Sequence, residues 1–181
     1  IDGKIIFHRQ TSKDWEKIYV SEFKQTITTL SFNPKPSHNV LQCAVGFADG
    51  NIQLISYNQE NWVTNQIKAH SYGVTTLAWI NRNNNTSRII TGGNDSSLKI
   101  WNVSIKSGIE EAQQLEKIHD NAIKQIEVMP FEENSLSISF VSLDIDDLVC
   151  IWTSAQGESF VGEGAKFNSE QKPSNINHIT W

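Results

Sequence analysis

Along the chain, short apolar and β-branched runs recur, separated by Gly, Asn, Asp and Ser. That is the pattern of strands joined by tight turns. Thr26–Phe32, Val40–Gly46, Asn51–Ser56 and Trp62–Ile67 form a first set of four predicted strands. Val74–Ile80, Arg88–Gly92, Ser97–Asn102 and a weaker run at Ala112–Lys117 form a second. Ile123–Val128, Leu136–Ser142, Leu148–Thr153 and a weak Glu158–Val161 form a third. Asp49-Gly50 and Asn94-Asp95 suit hairpin turns, because Gly, Asn and Asp tolerate positive φ. Four antiparallel strands per period is the content of a propeller blade, so the expected fold class is all-β.

The period is also written in polar residues. His70, Thr91, Asp95 and Trp101 are followed by His119, Ser142, Asp146 and Trp152. In each set the Asp comes four residues after the hydroxyl, and the Trp six after the Asp. The two Asp are 51 residues apart, as are the two Trp. A repeat of about 45–50 residues is a blade signature. Aligning turn aspartates gives Asp2, Asp49, Asp95 and Asp146, at intervals of 47, 46 and 51. The first two repeats are degenerate: His8 and Ile55 stand where later blades have Trp, and Val45 stands where they have a hydroxyl. Apolar packing alone is expected to hold those two.

Asp2–His8 and Trp15–Val20 read as the third and fourth strands of one blade, and Ile176–Trp181 as the first strand of another. The expected organisation is a single propeller segment. Residues 1–20 end one blade, 26–67, 74–117 and 123–161 form three, and 176–181 begin the next. On this reading the chain is part of a longer protein, about three full blades with two partial ones.

His, Ser or Thr, and Asp together invite a hydrolase reading. Against it, a catalytic triad occurs once and exposes its nucleophile beside an oxyanion hole. Here the set recurs at the blade period, with threonine in one copy. The indole N–H only donates, a hydroxyl both accepts and donates, and an imidazole passes a hydrogen bond on to a carboxylate. The relay Trp101 → Thr91 → His70 → Asp95 would satisfy every member and tie the loop before strand one to strands two and three. Such a closed network sets blade geometry. No catalytic residue is assigned.

Charge and composition narrow the rest. Fifteen Lys and Arg against 20 Asp and Glu give a net charge of −5, without a basic cluster, so nucleic acid is not an expected partner. No apolar run reaches membrane-spanning length. Cys43 and Cys150 sit in apolar strand runs without zinc spacing, as buried reduced thiols do. No His lies at ligand spacing to another His or to Cys, and the Asp144, Asp146, Asp147 run lacks the Gly and distal Glu of a calcium loop. Neither metal nor cofactor is expected. Four Asn-x-Ser/Thr matches, at Asn84, Asn85, Asn94 and Asn102, follow from Asn-rich composition and predict no glycosylation. Asn81–Ser87, and Gly157–Gly164 with Asn168–Ser174, are read as polar loops.

Thr91–Trp101 reads TGGNDSSLKIW, which resembles the WD-repeat signature; VCIWT from Val149, SYGVTTLAW from Ser71 and FADGNIQL from Phe47 are in register with it. With DGKIIFHR at the start and NINHITW at the end, the whole chain resembles the family of small WD-repeat propellers shared by the COPII outer coat and the Y-shaped scaffold of the nuclear pore. A sister propeller of that pore scaffold looks similar. The resemblance implies a non-enzymatic subunit forming a six-bladed open propeller. A helical-solenoid coat protein or nucleoporin completes it by donating a blade. It implies a cytoplasmic protein, peripheral on ER-derived COPII vesicles and touching membrane only through the coat, with the nuclear pore as a second location. No partner-binding residue carries over. The competing class is a WD-repeat adaptor reading a peptide or modified tail on its central face, for which the face loops offer only Lys24, Tyr72 and Asn121.

Overall fold

A computed structural model describes residues 3–36, 40–81, 87–104, 107–130, 137–155 and 159–166. Every regular element among them is a strand. β1 (Gly3–Gln10) and β2 (Trp15–Phe23) form a two-stranded antiparallel sheet. β3 (Ile27–Phe32), β4 (Leu41–Phe47), β5 (Asn51–Tyr57) and β6 (Trp62–Lys68) form a first four-stranded sheet. β7 (Val74–Asn81), β8 (Ser87–Gly93), β9 (Leu98–Ser104) and β10 (Gly108–Gln114) form a second; β11 (Ile123–Val128), β12 (Ile138–Asp144), β13 (Leu148–Ser154) and β14 (Val161–Lys166) form a third. In each sheet, strands pair in chain order as antiparallel neighbours.

The first strand β7 packs against β3 on one side and β11 on the other, while β6 meets β10 further out. The sheets are therefore stacked face to face, and their middle strands are buried on both faces. This explains runs such as Ile89-Ile90 and Cys43-Ala44-Val45, where alternation of polar and apolar residues is lost. Phe7 with Cys43, Val45, Phe47 and Ile55 fills the layer between β1–β2 and the first sheet. Ala44, Leu54, Val74, Ile89 and Trp101 fill the layer to the second sheet. Ile90, Ile100, Ile123, Phe140 and Trp152 fill the layer to the third.

Two repeated devices hold the sheets in one geometry. The first strand of each bulges near its start, between Ile27 and Thr29, Val74 and Thr76, and Ile123 and Gln125. The turn between strands two and three is also the same in all three. Gly50 N–H donates to Phe47 O, Ser96 N–H to Gly93 O and Asp147 N–H to Asp144 O, at 3.0, 3.2 and 3.3 Å. The fourth turn residue has positive φ each time: Gly50 at 87°, Ser96 at 59° and Asp147 at 61°. That is a type I turn closed by a left-handed residue, the usual three-residue hairpin solution. Next to each turn, Ala48, Asn94 and Ile145 donate their N–H to Thr26, Gly73 and Ala122 carbonyls, binding turn to first strand.

Two outer strands differ from expectation. The fourth strand of the second sheet is Gly108–Gln114, not Ala112–Lys117. Its Glu-Glu-Ala-Gln-Gln run is polar because it forms an exposed edge, and charge on an edge discourages further pairing. The last strand is Val161–Lys166, not Glu158–Val161. Its glycines hide it from propensity. A Cβ on Gly162 would overlap the Trp152 ring, and one on Gly164 would press on Ile118 and Cys150. Such close approach is a use of strand glycine. The expected loop over Gly157–Gly164 is overturned in part, since Val161–Gly164 pair with β13. The expected first strand at 176–181, residues 82–86 of the Asn-rich loop and the stretch Asn168–Ser174 lie outside the described residues.

Candidate functional site

The His70 network starts from Trp101, whose side chain projects from β9. Its Nε1–H donates to Thr91 Oγ1 on β8 at 2.9 Å, and Thr91 Oγ1 lies 2.8 Å from His70 Nε2. His70 Nδ1 lies 2.9 Å from Asp95 Oδ1 and 2.9 Å from Ser97 Oγ. A carboxylate only accepts, so Nδ1 carries the proton and Nε2 is left to accept from the Thr91 hydroxyl. Every proton then points the same way, from indole to carboxylate. Asp95 gathers three further donors: Ser71 N–H at 2.8 Å, Ser97 N–H at 3.2 Å and the Ser97 hydroxyl at 2.7 Å. Ser97 and the Ser71 amide were not expected from the sequence, since hydroxyl and main-chain donors carry no motif of their own.

The second copy is built alike with one correction. Trp152 Nε1–H donates to Ser142 Oγ at 2.8 Å, and Ser142 Oγ lies 2.6 Å from His119 Nε2. His119 Nδ1, however, meets Asp144 Oδ2 at 3.0 Å, not Asp146. Asp146 instead accepts from the Asn121 amide at 2.7 Å. The expectation placed Asp146 by counting from Ser142 and Trp152, and in the turn it is indeed the counterpart of Asp95. The position matching Asp144 is Gly93, where a Cβ would come within 2.5 Å of His70 Nδ1. A carboxylate grown from the strand itself therefore reaches the imidazole directly. The signal available in sequence was His-to-Asp spacing: 25 residues in His70–Asp95 and 25 in His119–Asp144. Asp144 also accepts the N–H of Asp146 and of Leu148 through Oδ1, at 2.9 and 3.0 Å, so it binds its own turn as well.

In the first sheet, Ile55 takes the Trp position and Val45 the hydroxyl position, both at 0% exposure. Packing is not the sole tie there, contrary to expectation. Gln25 donates its amide to Asp49 Oδ2, and Asp49 Oδ1 accepts the Asn51 N–H at 3.0 Å. Gln25, two residues before β3, binds the turn Asp49 as Asn121, two residues before β11, binds Asp146 in the third sheet.

Chemically, the site is closed. Thr91 and Ser142 are 0% exposed, so neither hydroxyl meets a substrate. Burial pulls the His70 pKa below its ordinary value, against the attraction of Asp95. Burial alone would raise the Asp95 carboxyl, but hydrogen bonds from Ser97, Ser71 and His70 hold it below the usual value. A neutral ring beside an ionised carboxylate is the state the relay requires. The two thiols are inert: burial pushes Cys43 and Cys150 up to about 11, the Asp144 charge adding to the second. No group of three metal-ligating side chains exists among the described residues.

A family model, the WD domain, G-beta repeat, matches residues 62–102. The solved structure of Sqt1 from Saccharomyces cerevisiae superposes with a TM-score of 0.72 at 16% identity, covering 94% of this chain and 47% of that one. The described sheets are part of a WD-repeat β-propeller. In sequence the chain is Sec13-like. It is 26% identical to "Protein transport protein sec13" of Aspergillus fumigatus over 84% of this chain and 56% of the relative. It is 28% identical to "Protein SEC13 homolog" of Drosophila melanogaster over 61% of this chain and 36% of the relative. The chain thus spans about half the length of the first of these.

Proposed function

We propose that this propeller is a non-enzymatic scaffold element in protein transport, a building block of the COPII outer coat and the nuclear pore scaffold. The observation that carries the reading is the Sec13 similarity over 84% of the chain. The closed networks support it, because buried, fully engaged hydroxyls favour rigidity over turnover. The partner would be a helical-solenoid protein that donates strands to complete the open ring. An uncovered sheet face is consistent with further strands: Leu30 and Phe32 on β3 are each 50% exposed beside the two-stranded β1–β2 sheet.

Affinity capture of the full-length protein from cytosol tests the assignment. Recovery of a large solenoid protein carrying a propeller-closing strand segment is expected. Recovery of ubiquitin-ligase subunits or histone tails instead would favour the adaptor class and overturn the scaffold.

A further inference from the structure

A cleft of about 390 Å³ opens above the β8–β9 turn, between the two segments that carry the chain from one sheet to the next. His70 and His119 form part of its walls, but their nitrogens are spent in the networks. What the cleft offers is lysine. Lys68 comes from the end of β6, Lys99 from β9 and Lys117 from the connection between β10 and β11.

Counting donors and acceptors decides what the cleft can take. Asp95 lines it, yet its oxygens already receive His70, Ser71 and Ser97. An ammonium has three donors. Lys68 uses one on the Asp49 carbonyl, and Lys99 uses one on Glu111 at 3.0 Å. Lys117 is exposed and makes no hydrogen bond among the described residues. Glu116 is the one lining carboxylate left open among them. The walls are donor-rich, in a chain whose net charge is −5.

We propose that this cleft is a docking site for an acidic protein segment, whose Asp or Glu carboxylates seat between Lys68 and Lys117. The lysines are spread over three segments and hold no arginine fork. That arrangement suits separate carboxylates along a peptide better than one bidentate anion. Lys99 contributes less, because Glu111 shares its charge, and the carboxylates of Asp95 and Glu116 oppose binding, which leaves Lys68 and Lys117 as the seats.

Fluorescence anisotropy with the full chain tests this, using a fluorescein-labelled oligoglutamate peptide and its oligoglutamine counterpart at low ionic strength. The glutamate peptide binds and the glutamine peptide does not. Lys68→Gln and Lys117→Gln each weaken binding about two- to fivefold, the range of one exposed ion pair, and Glu116→Gln tightens it by a similar factor. About 1 M salt, where the screening length is roughly 3 Å, abolishes it. Lys13→Gln, in the β1–β2 turn, changes nothing. The changed residues are exposed, so melting midpoints stay as in the parent. Equal binding of the two peptides, no binding of the acidic one, or a Lys13→Gln loss matching that of Lys117→Gln would overturn the proposal.

Discussion

Gly93 and Asp144 occupy the same position in the turns of successive sheets, and each decides how its sheet's histidine finds a carboxylate. Both supply the carbonyl that closes the turn, to Ser96 and Asp147 respectively. With no Cβ at Gly93, the His70 ring lies over the backbone and the next acidic residue, Asp95, reaches across to it. With a carboxylate at Asp144, the histidine is met from the strand and Asp146 is left to bind Asn121. The same relay is thus closed by two different turn residues.

Asp144→Ala and Asp146→Ala are accordingly expected to separate. Asp144 is 1% exposed and serves His119 and two turn amides. Its loss strands buried donors and costs about 2–3 kcal/mol. Asp146→Ala, on the surface, costs no more than about 0.5 kcal/mol. Urea unfolding of the two variants checks the order, and equal midpoints would contradict the assignment of Asp144.

Thr91 offers a test of the relay itself. Thr91→Ser keeps the hydroxyl, as Ser142 does in the next sheet, and loses one methyl, about 1 kcal/mol. Thr91→Val keeps the shape but leaves the Trp101 N–H and His70 Nε2 without partners. Stranding two buried polar groups costs about 2–4 kcal/mol. Calorimetric midpoints should therefore rank parent, Ser, Val; a Val variant as stable as the Ser variant would mean that the hydroxyl contributes only volume.

Gly162 is expected to be intolerant although it lies in an outer strand. Added bulk there would overlap the six-membered ring of Trp152, which is fully buried. Gly162→Ala should destabilise by about 1–3 kcal/mol, as overpacking does. The indole would move off Phe140, whose ring centroid lies 5.9 Å away. Tryptophan fluorescence reports that shift alongside the lowered midpoint.

Stability should fall on mild acidification. Burial depresses the His70 pKa below 6.5, so the unfolded chain takes up a proton at higher pH than the folded one. The unfolded state then binds more protons, and stability declines as pH drops below 6.5 and is complete above it. The depressed Asp95 carboxyl adds a second loss at lower pH, as its unfolded form protonates near 3.8. Denaturation midpoints followed downward through pH 6.5 check the sign. His70→Gln should flatten the upper part of that curve.

Much of this molecule was legible in its residues. Runs such as Arg88–Gly92 and Leu148–Thr153 are β-branched or aromatic and bounded by turn formers, and both lie within observed strands. The relay recurs in the second and third sheets with the same hydroxyl-to-Trp and His-to-Asp spacings, 10 and 25 residues, because both sheets solve the same packing problem. Other elements were not legible for equally physical reasons. β10 is polar since it borders solvent, and β14 is glycine-rich since Trp152 and Cys150 press against it. Gln25 ties Asp49 to the first sheet by a plain amide, as Asn121 ties Asp146 in the third, and an amide carries no motif of its own.

The linear order of side chains determined the all-β class, the sheet period and the types of residue each network needs. Those follow from local rules, namely which residues extend, which turn and which donate or accept. Only the tertiary structure decided which carboxylate closes the second network and how three lysines come to border one cleft. The first depends on where a missing Cβ leaves space, which the shared 25-residue His-to-Asp spacing reflects but does not explain, and the second on which loops are stacked side by side.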